Sequence, residues 1–399
     1  MSAIILTLLL IGMFWAGALI AHRRYDLKRR GIEVAPGFLM WRTTRGLKFI
    51  DRAAKACRKG WLAYGTVAAT TGIILMVFIF TMVALSARII LSHPSESPPG
   101  VVIAYPGFVP GLEVLPWLVA ISLLLLVHEF SHGLVLRAQG LKTKSVGVLL
   151  LLAVPGAFVE PDEEQLRRAP ISKRLRVYGA GSFGNFLLAF LCLGLLLFCL
   201  SPKDGIYVYG IAKGYPAENV LTPGMRILAL DNWRVDNYEE LHNFMSTTVP
   251  GQIVRISTDR GEYSVKLARD PDSENRGYLG IWPVSAVPES RFVNPLFDFG
   301  AAAAIVLGRL AFDHQLLFHP YVYDSLVPWG VVDIIKWTFV LNLLVGLFNL
   351  LPAVPLDGGY ILQGLVEKVS SPKVAKRVSY AFSMVVLVLI IIGFLPKVI

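Results

Sequence analysis

The chain has 399 residues, 55% of them hydrophobic and 17% charged, with a formal net charge of +10. So apolar a composition excludes an ordinary soluble protein, and the apolar residues fall in runs of about 20, the length of a helix that crosses a bilayer. Three cysteines, Cys57 in a basic loop and Cys192 with Cys199 on one apolar run, exclude a disulfide framework and a cysteine-ligated zinc site.

The first run, Ala3 to Ala21, has its positive cluster after the apolar stretch, so it reads as a retained anchor rather than a cleaved leader. From Arg23 to Lys59 twelve Lys or Arg residues stand against Asp26, Glu33 and Asp51, which assigns this loop to the cytoplasm. Most of the net charge sits on that short loop between spans, so it is a membrane-topology signal and not a nucleic-acid surface. Within it, Pro36 to Tyr64 mixes Phe38, Trp41 and Phe49 with Arg42, Arg45 and Lys48, the pattern of a helix lying in the headgroup plane or of a basic linker. A second span, Ala63 to Ala87, returns the chain outward, and the proline-rich stretch from Arg88 to Glu113 reads as an external loop.

The third span, Leu115 to Ala138, runs inward and carries His128-Glu129-Phe130-Ser131-His132. On a helix, positions four apart share a face, so the two imidazoles can hold one Zn²⁺ with Glu129 beside it as a general base. This is the arrangement for water attack on a peptide carbonyl. Three ionisable groups inside a span are costly in hydrocarbon and are kept where they perform a function.

Ser145 to Val159 is apolar but too short to cross, and predicts a re-entrant hairpin or extended segment whose edge can pair with an unwound substrate. A fourth span, Val177 to Leu200, runs outward with Gly179, Gly181 and Gly184 near its start. Asn185 on it lies at the depth of the histidines, suited to an interhelical hydrogen bond or to donating to an oxyanion. From Ser201 to Pro288 polar residues and short alternating runs return, around the stretch from Pro223 to Asp231 and the helical segment from Asn237 to Ser246. This insert resembles a PDZ domain, which implies capture of an extended peptide or chain terminus on the outer side of the membrane. Phe299 to Leu317 contains Arg309, Asp313 and His314 and is predicted to be an external interfacial helix rather than a span.

The next span, Val331 to Leu351, runs inward and breaks at Pro352 and Pro355, offering Asp357 from irregular backbone at its inner end. The final span is Val378 to Leu395. A catalytic zinc needs a third protein ligand at the depth of the histidines; Asp357 meets that requirement, with Glu160 as the competing carboxylate. The predicted fold is thus a polytopic α-helical membrane protein of about six transmembrane helices with an inserted extracytoplasmic, β-rich α+β PDZ domain. Its divisions are 1–113, 114–200, 201–288, 289–330 and 331–399.

The motifs at 128–133, 155–159, 181–185 and 349–358, together with the insert, make the chain resemble the site-2 protease family of intramembrane zinc metalloproteases. The resemblance covers nearly the whole chain and implies one Zn²⁺ held by His128, His132 and Asp357, with Glu129 as base and Asn185 assisting substrate or oxyanion positioning. It implies single-span membrane proteins as substrates, the cell membrane as location and an active site near the cytoplasmic face. Ser182 replaces a proline common in the family's small-residue motif. The basic stretch around Arg42 resembles the form of animal cells, but the long cysteine-rich insert of that form has no counterpart, which implies a simpler prokaryotic, archaeal-type enzyme. Two other readings stand beside this one: a membrane zinc protease completed by a glutamate, and a non-catalytic adaptor that presents the PDZ domain.

Overall fold

The computed structural model describes residues 2–25, 27–44, 46–93, 101, 103–109, 111–152, 154–285 and 318–394; the segment expected to form an interfacial helix, 299–317, lies outside them. The chain divides into two compact units, residues 1–194 with 333–399, and residues 195–332.

In the first unit α1 (Ser2–Arg24) coincides with the predicted anchor. The basic stretch that follows is not one headgroup-plane helix. It contains two strands, β1 (Ile32–Ala35) and β2 (Phe38–Thr43), before α2 (Leu47–Ala56). The reason is long-range pairing: β2 aligns antiparallel with β3 (Thr143–Leu151), Phe38 opposite Leu151 and Thr43 opposite Val146. A strand placed there pairs one edge of the predicted re-entrant hairpin, which β4 (Val154–Pro161) completes. The result is a four-stranded sheet in the order β1-β2-β3-β4, with β4 at one edge.

The helix α4 (Val114–Ala138) packs on β4 and on α3 (Arg58–Ser92), and its His132 reaches α6 (Ile171–Cys199), which the short α5 (Glu163–Arg168) precedes. One face of α4 packs on α2 through Ile50, Ala54, Leu134 and Ala138, and Arg137 pairs with Asp51. Tyr64 of α3 donates to the Ala180 carbonyl of α6 at 3.0 Å.

The second unit holds β5 (Leu200–Pro202), β6 (Ile206–Ile211), β7 (Arg226–Leu230), β8 (Trp233–Arg234), α7 (Tyr238–Ser246), β9 (Ile253–Thr258), β10 (Gly261–Lys266), β11 (Ala268–Asp270), β12 (Ser273–Tyr278), β13 (Ile281–Val284) and β14 (Tyr323–Ser325). Its main sheet runs β10-β9-β7-β6-β13, which among the described residues leaves β13 with one unpaired edge, and β14 pairs with β5. The core gathers alternate strand residues, Ile206 with Val208 and Val254 with Ile256, together with Ile227 and Leu230 on either side of an irregularity in β7, around Leu241 of α7. This is the β-rich α+β insert expected from the alternating runs.

The first unit resumes within α8 (Trp329–Phe348) and ends with α9 (Asp357–Val369) and α10 (Pro372–Phe394). Among the described residues five helices, α3, α4, α6, α8 and α10, are long and apolar enough to cross a membrane.

In the insert, burial opposes the charge of Asp270, but the Arg276 guanidinium, donating at 2.6 Å, and the amides of Asp272 and Ser273 outweigh it. The carboxyl is held below the usual carboxylate range, so it contributes stability that is present above about pH 4 and lost as the pH falls through its folded value. Replacing Arg276 with Met is therefore expected to lower the insert's melting temperature at pH 7, the difference from the parent shrinking on acidification; thermal unfolding followed from pH 7 to pH 3 checks this.

Candidate metal centre

A helix with His at positions 128 and 132 turns both imidazoles to one side, and here their Nε2 atoms lie 3.1 Å apart. The third member arrives from the other end of the sequence. Pro352 and Pro355 interrupt the chain after α8, the Gly358 N–H bonds back to the Asn349 carbonyl at 3.0 Å, and α9 opens on Asp357. This turn brings Asp357 Oδ2 to 3.5 Å from His128 Nε2 and 3.4 Å from His132 Nε2. A tetrahedral zinc with bonds of about 2.0–2.1 Å has ligand–ligand edges of roughly 3.3 Å, so the three atoms have the spacing of three corners of such a site. Among the described residues this is the one group of His, Cys, Asp and Glu close enough to hold a metal ion. His128 is 8% exposed and Asp357 9%, so such charges in this setting require partners.

Those partners are present. His132 donates through Nδ1 to the Val177 carbonyl at 2.6 Å, which leaves the Nε2 lone pair directed at the group. His128 Nδ1 faces the Asn185 carboxamide at 3.2 Å. A carboxamide presents either its oxygen or its nitrogen after a half-turn; with the oxygen facing the ring, Nδ1–H donates and Nε2 is free for a metal. Asp357 Oδ2 accepts from Asn349 Nδ2 at 3.2 Å and from Ser182 Oγ at 3.5 Å. Asn349 Nδ2 also lies 3.1 Å from His128 Nε2, on the metal-facing side.

Glu129 reaches toward β4, where its carboxylate accepts the Val159 N–H at 3.0 Å. It lines one cavity together with His132, Asp357, Val159, Tyr178 and Tyr360. Glu160, the competing carboxylate, instead accepts from Ser145 Oγ at 2.5 Å across the hairpin and lies outside the metal group.

The structure therefore brings together all five residues singled out from the sequence, but it gives Asn185 a position behind His128 rather than facing the metal locus. Asn349 takes the facing position. The sequence signal for it is an amide at the end of an apolar span that also carries Asn342, eight residues before Asp357. Gly181 matters as well: a methyl group there would overlap His132 Nε2 and lie 2.6 Å from His128 Cε1. The bare backbone of α6 is what lets both rings fit.

Fold and site together define a polytopic membrane protein with an internal two-histidine, one-aspartate centre. Residues 116–393 match Peptidase family M50. The chain belongs to that family and is a zinc metalloprotease of the site-2 type. It is similar to an uncharacterized protein of Methanocaldococcus jannaschii, 26% identical over 346 residues and covering 84% of this chain and 80% of that one. It is also similar to the zinc metalloprotease RasP of Shouchella clausii, 28% identical, covering 59% of this chain and 62% of the relative. Among solved structures, the PDZ domain of an SdrC-like protein from Listeria monocytogenes is 26% identical over 21% of this chain and 92% of that domain, with a TM-score of 0.19.

A Gly181→Ala substitution is expected to push the rings apart and weaken zinc binding by about tenfold or more. Metal analysis of the purified variant under chelator competition measures this directly.

Proposed function

We propose that the protein hydrolyses a peptide bond in or near the transmembrane helix of a single-span membrane protein, on the cytoplasmic side of the bilayer, after the substrate's ectodomain has been shortened. The observation that carries the reading is the convergence of His128, His132 and Asp357 beside a cavity that also receives Glu129. One Zn²⁺ per chain, held by those three side chains, would supply a Lewis acid that activates water and polarises the scissile carbonyl.

The chain's own residues perform the rest. Glu129 takes a proton from the attacking water and returns it to the leaving amine. Asn349 Nδ2, on the metal-facing side of His128, donates to the carbonyl oxygen as negative charge develops there. Asn185 and the Val177 carbonyl hold the two rings at their Nδ1 sides. The cavity wall includes Val159 of the edge strand β4, whose N–H points away from β3 toward Glu129. An unwound substrate segment pairing along this edge presents its backbone to Glu129, which meets the need of a helical substrate to expose its carbonyls.

By the positive-inside reading the insert is extracytoplasmic. Its groove runs between α7 and the unpaired edge of β13 and is lined by Leu241, Met245, Leu279, Ile281 and Arg276. An extended peptide added to β13 would lie in it, its apolar end side chain among the leucines and its terminal carboxylate near Arg276. This PDZ-type capture favours substrates whose ectodomain has already been cut and so bear a new chain end.

A Glu129→Gln variant is expected to retain zinc and lose about 10²–10⁴-fold in cleavage rate. Reconstituted proteolysis of a single-span substrate, with metal content measured on the same samples, tests the reading; cleavage at the wild-type rate by this variant contradicts it. Asn349→Ala is expected to lower the rate by about 10²–10³-fold, a loss that a conservative Asn349→Gln does not fully restore because the donor is displaced.

A further inference from the structure

Helix α9 carries the aspartate of the metal centre at its first residue, so the ligand's position depends on how α9 lies against α6. The two helices meet antiparallel in four successive steps. Asp357 faces Ser182, Tyr360 stacks on Tyr178 with ring centroids 5.2 Å apart, Gly364 lies against Leu175, and Glu367 meets Arg174. At the third step a methyl group on Gly364 would lie 3.1 Å from the Leu175 side chain, so the approach is close but forms no directional lock. The fourth step is directional: Arg174 Nη1 donates to both carboxylate oxygens of Glu367, at 3.0 and 2.9 Å. Arg174 is 4% exposed. Both residues lie far from the reacting atoms and have no part in the chemistry described above.

The pair is largely buried, with the Arg174 and Glu367 side chains 5% and 20% exposed, and such a pair is a poor source of stability, because removing its charges from water costs about as much as their attraction returns. Its best-attested use is to fix register between packed elements. Apart from the long Ser182–Asp357 hydrogen bond, the remaining contacts of the α6–α9 face are stacked rings and small or aliphatic side chains, which define register only weakly. A slip of one helical turn moves a residue by about 5.4 Å. That exceeds the 3.4 Å between the Asp357 carboxylate and His132, so a slipped α9 withdraws the third ligand.

We propose that the Arg174–Glu367 pair is a positioning device that sets the register of α9 on α6 and thereby delivers Asp357 to the two histidines. The proposal rests on the reading of His128, His132 and Asp357 as zinc ligands. Arg174 and Glu367 are positioning residues that act through Asp357.

The experiment compares purified full-length wild type, Glu367→Gln and the double variant Arg174→Met/Glu367→Leu. Zinc affinity is measured by competition with a chromogenic chelator, and the melting temperature of each metal-free protein is measured in parallel. The double variant removes both charges while keeping apolar bulk, so it leaves no uncompensated charge behind. If the pair sets register, the double variant keeps the wild-type melting temperature and binds zinc about tenfold to hundredfold more weakly, and Glu367→Gln is weakened as well. A double variant that binds zinc as tightly as wild type overturns the proposal. So does one that no longer folds, since the pair would then support the fold at large rather than position one ligand. Failure of the metal reading itself is distinguishable: wild type would then bind no zinc.

Discussion

Hydrocarbon offers no solvation to a charge, and this constraint organises the molecule around residues 128, 132 and 357. Imidazoles and a carboxylate that are largely buried persist only if each finds a partner inside the protein. The partners come from different spans: α4 provides the histidines, α6 the Val177 carbonyl, Ser182 and Asn185, and the end of α8 Asn349. Mutual satisfaction of these groups and close packing of α4, α6 and α9 are one requirement seen from two sides. Gly181 shows the link most directly, because the side chain it lacks is the space the two rings occupy.

The same constraint accounts for the sheet. A short apolar hairpin at membrane depth cannot leave two edges of unpaired backbone, and β2 covers one of them. The other edge, β4, has no partner strand among the described residues and faces Glu129. Packing of α4 against β4 joins the carboxylate's location to the surface where an extended chain can align. Part of this support comes from outside the family-matched region: β2 and Tyr64 both precede residue 116.

Much of the centre was legible in the sequence because its chemistry is rare in such surroundings. The His-Glu-x-x-His spacing placed two ligands on one helix face, and the prolines after residue 351 marked where Asp357 leaves the helix. The hairpin at 145–159 was readable from its length alone. What escaped depended on partners far along the chain. The strand at 38–43 looks like any mixture of aromatic and basic residues until β3, a hundred residues later, pairs with it. Asn349 enters the sequence reading only as the start of the 349–358 motif, with no role until α9 folds back, and Arg174 and Glu367 look like ordinary charges at span ends until their 193-residue separation closes. Asn185 was found by its depth, but depth does not tell the front of an imidazole from its back.

Zinc-edge X-ray absorption on the purified protein addresses the centre most directly. The account predicts bound zinc with two imidazole nitrogens and carboxylate oxygen at about 2.0–2.1 Å, and loss of that carboxylate component in Asp357→Ala. Zinc with an unchanged spectrum in Asp357→Ala, or a spectrum without two imidazoles, would contradict it.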